Sequence, residues 1–294
     1  MIKKLYLVLL SVFLFTLFSV NCLTQTTTPP PVHTLVGTIK THPKFFSKNL
    51  SNNRDIIVYL PPNYEKEVTQ HYPVFYLHDG QNIFDGATSF IAGSEWQCDE
   101  TAQKLILANK IQPIIIVGIY NTGEERINEY TYSVDTRYNK GGKANLYGKF
   151  LVEELKPFID NQYRTLSDSD HTALGGSSLG GLVSLFIGLQ YPNVFGKLAV
   201  MSPSVWWDNR IILKDIKNLP QKPNITIWLD IGTEEDQESV PDTEDLKNLL
   251  LDKGWKLDKD LKYLVAKDAK HNESAWSSRF DKVLEFLFPV NIKH

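Results

Sequence analysis

Cysteine is nearly missing. Cys22 and Cys98 are the only two in 294 residues, and neither sits in a Cys/His spacing that binds zinc. There is no His-Glu-x-x-His motif and no Gly-x-x-x-x-Gly-Lys phosphate loop, so metalloprotease and P-loop chemistry have no support. We expect no metal and no cofactor. An excess of basic residues is also lacking: 31 Lys and Arg face 34 Asp and Glu. That balance does not favour nucleic acid or an anionic membrane. No internal repeat and no break in composition marks a second domain.

What remains is ordinary globular material, 42% hydrophobic and 22% charged. Aromatics are rich at 12%, and several lie outside the expected strands, as in a groove lined with rings.

The N-terminus reads as a targeting segment. Lys3 and Lys4 precede an apolar run, Leu5 to Val20, too short for a membrane span and suited to a signal peptide over 1–21. Its removal leaves 29 basic against 34 acidic residues, a net charge of −5. Cys22 directly follows this run and is a candidate for lipidation, in a relaxed version of a lipobox with Ser19 and Asn21 at the preceding positions. Residues 22–32, including Thr24 to Pro31, read as an extended tether. The expectation is an exported protein, a periplasmic or outer-surface lipoprotein or else a secreted one. Cys98 is then a buried apolar thiol.

From residue 33 to 294 the pattern is continuous. Strands are expected at Leu35–Lys40, Asp55–Leu60, Val74–His78, Ile114–Tyr120, Thr172–Gly175, Leu198–Met201, Ile225–Ile231 and Lys262–Ala266. Several are wholly apolar, as befits strands buried on both faces. Helices are expected at Thr101–Asn109, Leu146–Asn161, Leu179–Gln190, Glu244–Asp252 and Ala275–Leu287. The alternation predicts an α/β domain with a mostly parallel eight-stranded sheet and helices on both faces. Two long loops, His78 to about Glu100 and Asn121 to Ala144, follow strands, where such folds place function.

The richest segment is Gly175-Gly176-Ser177-Ser178-Leu179-Gly180-Gly181, a Gly-x-Ser-x-Gly between an expected strand and an expected helix. A serine on such a turn is the nucleophile elbow of an α/β-hydrolase. Its glycines permit the tight turn, and the following helix aims N–H groups at developing negative charge. Ser178 needs a base. In this fold the order is Ser, acid, His, and only His271 and the terminal His294 follow. His271, in a polar loop between the last strand and the last helix, is the expected base. The acid is expected just beyond Ile225–Ile231, where Asp230, Glu234, Glu235 and Asp236 cluster. Asp230 sits within the strand. Many enzymes of this fold carry the acid three residues after a glycine like Gly232, which selects Glu235, with Asp236 as the alternative. Oxyanion donors are expected at the Leu179 N–H and the Gln81 N–H, with Gly80 next. His78 and Asp79 precede Ser178 and are expected to shape the Gln81 loop.

Five stretches together carry a resemblance: Tyr76–Asn82, Val117–Asn121, Gly176–Gly181, Ser202–Trp207, and His271-Asn272-Glu273-x-x-Trp276. Over about residues 35–290 the chain resembles the putative esterase family of α/β-hydrolases. That group includes esterase D, feruloyl and acetyl-xylan esterases, siderophore esterases and mycolyltransferases. The resemblance implies a metal-independent Ser-His-acid mechanism with an acyl-enzyme, Ser178 as nucleophile and His271 as base, acting on a small-molecule or carbohydrate ester. Trp206 and Trp207 are candidates to stack on substrate, or else pack under the rim of the site. Arg126 and Tyr132 are candidates to hold an anionic or catecholate group. An acyltransferase using a sugar hydroxyl, and an inactive ligand-binding surface lipoprotein, remain as alternatives.

Overall fold

The computed structural model describes residues 32–290. The expected signal peptide, Cys22, nearly all of the tether and His294 lie outside the described residues. Among the described residues no helix is long and apolar enough to cross a membrane.

Among the described residues ten strands form in chain order: β1 (Thr38–Ser47), β2 (Asn52–Leu60), β3 (Val74–His78), β4 (Ile115–Ile119), β5 (Val134–Asp135), β6 (Lys140–Gly141), β7 (Thr172–Ser177), β8 (Lys197–Met201), β9 (Thr226–Gly232) and β10 (Leu261–Ala266). Eight of them make one sheet in the order β1-β2-β4-β3-β7-β8-β9-β10. The two pairings of β2, with β1 and with β4, are antiparallel, and every later pairing in the sheet is parallel. β5 and β6 form a separate short ribbon in the second long loop.

The apolar runs explain the centre of the sheet. Every residue of β3, β4 and β7 is buried. Alternate residues of a strand face opposite sides. Tyr76, Val117, Leu174, Val200 and Leu229 therefore pack against one layer of helices. That layer holds α5 (Leu179–Gln190), α6 (Trp207–Asn218) and α7 (Ser239–Asp252), with α3 (Ala144–Lys149) and α4 (Lys156–Gln162). Phe75, Ile116, Ala199 and Trp228 pack on the other face, against α1 (Cys98–Leu107) and α8 (Glu273–Leu287).

The differences from the sequence reading have local causes. β1 starts at Thr38 and runs to Ser47, bulging between His42 and Phe45, where Lys44 takes φ 55°. The expected single helix over 146–161 is α3 and α4 joined through π-helical turns at Phe150–Leu155, just ahead of Pro157, which has no N–H to donate. Helix α6 was not expected. Its first turn is kinked, with Asp208, Asn209 and Arg210 all at positive φ. A short α2 (Arg126–Tyr130) also forms in the second long loop. Cys98 is buried and free, as expected.

Candidate active site

Parallel strands bring their C-terminal ends to one edge, and the candidate residues sit on the loops just beyond. Gln81 follows β3, Arg126 follows β4, Ser178 follows β7, Glu235 follows β9 and His271 follows β10.

Ser178 connects β7 to α5 at φ 59° and ψ −126°, a conformation hostile to a residue with a Cβ. Its amide donates to Met201 O at 3.1 Å, which ties the turn to β8. Gly181 shows why the turn needs glycine. A Cβ there would lie 2.8 Å from Met201 O and 3.2 Å from Gly176 O. Among the described residues the amide of Leu179, first in α5, has no protein acceptor, nor has that of Gln81. Gly80 lets the Gln81 turn approach the sheet. A Cβ on it would come within 2.6 Å of the Gly118 and Ile119 backbone.

His271 Nδ1 lies 2.7 Å from Glu235 Oε2. The Glu235 side chain is 1% exposed and that of His271 is 41% exposed. A carboxylate accepting from Nδ1–H leaves Nε2 as the acceptor nitrogen. Burial pushes the Glu235 carboxyl up, but the His271 and Ser202 contacts and the Gly232 amide outweigh it and hold it below its ordinary value. The alternative acid, Asp236, is exposed and accepts from the Glu238 amide at 3.1 Å. Asp230 is buried inside the fold, paired with Arg279 Nη2 at 2.8 Å.

Ser178 and His271 line the same cavity, of about 400 Å³. They are not hydrogen-bonded to each other. Ser178 Oγ faces Ser204 Oγ at 3.3 Å. Contacts of this kind often close only when substrate arrives.

The expected substrate residues are redistributed. Trp206 and Trp207 do not line this cavity. Trp207 is buried, stacks on Tyr138 at 5.8 Å between ring centres and donates Nε1–H to Ser133 O at 3.2 Å. Trp206 packs on Tyr138 and Arg137. Tyr132 stacks on Phe186 at 4.1 Å and hydrogen-bonds Asp215, likewise outside the cavity. Arg126 does line it, but Nε and Nη2 are both taken by Asp79, each at 2.7 Å. Asn121 adds a contact to Asp79 at 2.8 Å. His78 is buried behind the turn, with Nδ1 2.9 Å from the Tyr147 hydroxyl. Both residues thus brace the Gln81 loop.

The rings that do face the cavity are Trp96, Trp276 and Phe90. Phe90 is 86% exposed at the mouth. Trp276 belongs to the His271-x₄-Trp276 stretch, and its ring stands perpendicular to that of His271 with 5.0 Å between ring centres. Trp96 and Phe90 belong to the long loop after β3, and that length was their only signal.

Among the described residues one acidic trio, Glu95, Asp99 and Glu100, lies close enough together to hold an ion. Thr34 Oγ1 donates to Glu95 at 2.5 Å and the Val36 amide to Asp99 at 2.7 Å. Burial and the neighbouring Glu100 push the Asp99 carboxyl well above its ordinary value.

Comparison with known proteins bears on the family and the fold. A family model described as putative esterase matches residues 47–287. An endo-1,4-beta-xylanase/feruloyl esterase of Xylanibacter ruminicola is 27% identical over 248 residues, 83% of this chain and 30% of that protein. The ferri-bacillibactin esterase BesA of Bacillus subtilis is 29% identical over 158 residues, 49% of this chain and 51% of that one. The crystal structure of the BES protein from Bacillus cereus superposes with a TM-score of 0.67 at 25% identity, covering 86% of this chain and 96% of that chain.

Proposed function

The chain belongs to the putative esterase family of α/β-hydrolases, and from that premise we propose that it is a serine carboxylic-ester hydrolase working through Ser178, His271 and Glu235. The observation that carries the reading is the 2.7 Å contact of His271 with buried Glu235, at the rim of the cavity that holds strained Ser178.

In this mechanism His271 Nε2 takes the Ser178 hydroxyl proton as Oγ attacks the ester carbonyl. Glu235 holds the ring through Nδ1–H and stabilises the imidazolium. The Leu179 and Gln81 amides receive the oxyanion. Collapse expels the alcohol, which leaves with the proton from His271. Water, activated by the same histidine, then hydrolyses the acyl-enzyme. The substrate is a small-molecule or carbohydrate ester, and Trp96, Trp276 and Phe90 favour a planar acyl group.

A fluorophosphonate probe tests the reading. It should label the wild type and leave Ser178→Ala unlabelled. Folded wild type that resists the probe, or equal labelling of both, would sink it.

We also propose that residues 33–294 act as the catalytic domain, held off a membrane by residues 22–32 after export and lipidation of Cys22. The sequence pattern at Lys3 to Cys22 supports this. Mass spectrometry of the mature N-terminus should find a diacylglyceryl cysteine, and Cys22→Ser should release the protein from membranes. An unmodified Cys22 would refute the anchor.

A further inference from the structure

Behind the Glu235–His271 pair sits a hydroxyl that the mechanism above does not use. Ser202 follows β8 at φ 41°. Its Oγ donates to Glu235 Oε1 at 2.6 Å. The same oxygen accepts from Trp276 Nε1 at 3.1 Å and from Arg279 Nη2 at 2.8 Å. A serine hydroxyl has one proton to give and two lone pairs to receive, so every bond it can make is made.

The partners lie on separate parts of the fold. Glu235 is on the loop after β9. Trp276 and Arg279 are on α8, which begins directly after His271, with the Asn272 side chain capping it through the Ala275 amide at 2.9 Å. Ser202 itself follows Met201, whose carbonyl accepts from the Ser178 amide. Arg279 is fixed in turn by Asp230, at 2.8 Å, and both side chains are buried. One buried hydroxyl therefore joins the strand that braces the nucleophile turn, the carboxylate and the helix that sets the histidine.

Resting on the triad reading above, we propose that Ser202 is a positioning residue. Its hydroxyl fixes the Glu235 carboxylate against His271 and couples it to the buried Arg279 cation. Glu235 Oε1 takes two donors, Ser202 Oγ and the Gly232 amide at 2.9 Å, which leaves Oε2 for the imidazole. Without the hydroxyl the carboxylate keeps one anchor on Oε1 and can rotate. A carboxylate so freed holds the protonated imidazole less well.

The test uses the full chain with p-nitrophenyl acetate as probe, rates being normalised to serine titrated by fluorophosphonate. Ser202→Gly is the informative variant, because glycine suits φ 41° and removes only the side chain. Ser202→Ala is its companion. Both should lose kcat per titrated serine by ~10–100-fold, as for a catalytic group displaced by about an ångström. KM should hold, and the acid limb of the kcat/KM profile should move to lower pH. Ser202→Gly with wild-type kcat per titrated serine and an unmoved acid limb overturns the proposal. In a wild type that labels at Ser178 and loses turnover in Ser178→Ala, that result overturns the role of Ser202 alone. If Ser178 does not label, the triad reading fails, and this one with it.

Discussion

Arg126 meets Asp79 through two parallel contacts, Nε to Oδ1 and Nη2 to Oδ2, both 2.7 Å long. The fork is two-pronged, as only arginine can make it. Burial alone would push the Asp79 carboxyl up, but Arg126 and Asn121 outweigh it and bring it down. Asp79 starts the turn that carries Gln81, in a left-handed conformation at φ 57°. Arg126 is thus committed to the loop before any substrate arrives.

A first prediction follows from that commitment. Arg126→Ala should destabilise the fold by about 1–3 kcal/mol, since Asp79 is left partly buried without its partner. It should also lower kcat by ~10–100-fold as the Gln81 amide loses its setting. Arg126→Lys should recover little, because an ammonium cannot bridge both oxygens. An arginine that instead holds an anionic substrate would show its loss in KM, only with charged esters, and leave the melting temperature alone. Urea unfolding and kinetics on neutral and anionic esters separate the two.

The acid can be assigned by parallel substitution. Glu235→Gln keeps shape and removes charge. It should cost ~10³–10⁴-fold in kcat, the scale seen when the acid of such a triad is made neutral. Asp236→Asn should stay within about twofold, as surface changes usually do. Asp236 is exposed, and its side chain accepts from the Glu238 amide. The reverse ranking would move the acid one residue along the loop.

The rings differ in the same way. Trp96 and Trp276 face the cavity, while Trp207 is buried elsewhere. Trp96→Ala should raise KM for an aromatic acyl ester by roughly 3–10-fold over an acetyl ester, the worth of one aromatic contact. Trp207→Phe should leave that ratio unchanged and lower the melting temperature. A changed acyl preference in Trp207→Phe would return that residue to the substrate.

Much of this site is legible in the chain, and the reason is locality. The elbow is a short-range pattern, because the glycines that permit the turn are neighbours of Ser178. The order of residues along the chain then limits the base to His271 or His294. Choosing between Glu235 and Asp236 is not local. It depends on which carboxylate meets the Ser202 hydroxyl, 33 residues earlier in the chain. The tryptophans show the same limit. Trp206 and Trp207 follow a strand beside the elbow, yet they lie outside the cavity lining, and three successive non-glycine residues at positive φ, Asp208 to Arg210, kink the chain directly after them. No sequence period announces such a kink.

Stability against pH should carry two opposed signatures. Burial drives His78 down to about 3, against the nearby Asp79 charge and helped by Arg126 and Arg54. Between about pH 6.5 and 3 the unfolded chain takes a proton that folded His78 refuses, so stability falls as pH falls. Asp99 goes the other way. Burial and the adjacent Glu100 push its carboxyl up towards about 8, so above about pH 4 the folded Asp99–Glu100 pair keeps a proton that the unfolded chain has lost. Its contribution is full below about pH 4 and fades as pH rises to 8. Each slope approaches ~1.4 kcal/mol per pH unit in its window. Relative to wild type, His78→Gln should gain stability as pH drops below 6.5, and Asp99→Asn should gain as pH rises towards 8. Urea unfolding across that range checks both, and variants that track the wild type in parallel would refute the assignments.

The final prediction concerns the backbone at Ser178. At φ 59° and ψ −126° its Cβ is strained, and no hydrogen bond of its side chain beyond Ser204 Oγ offsets this. Such strain is of order 1–3 kcal/mol, and it is tolerated where function needs the geometry. Glycine at this position removes the strain but loses more chain entropy on folding, by about 0.5–1 kcal/mol. Ser178→Gly should therefore be more stable than Ser178→Ala by up to roughly 2.5 kcal/mol, the difference of those two effects. Both variants should lose fluorophosphonate labelling. Urea unfolding of the pair at one pH isolates the backbone effect, since neither carries the hydroxyl. An alanine variant more stable than the glycine variant by the full chain-entropy difference, about 0.5–1 kcal/mol, would show that the turn is relaxed. The positioning of the nucleophile would then owe nothing to stored strain, and would rest on the Met201 carbonyl and the packing of Gly181 alone.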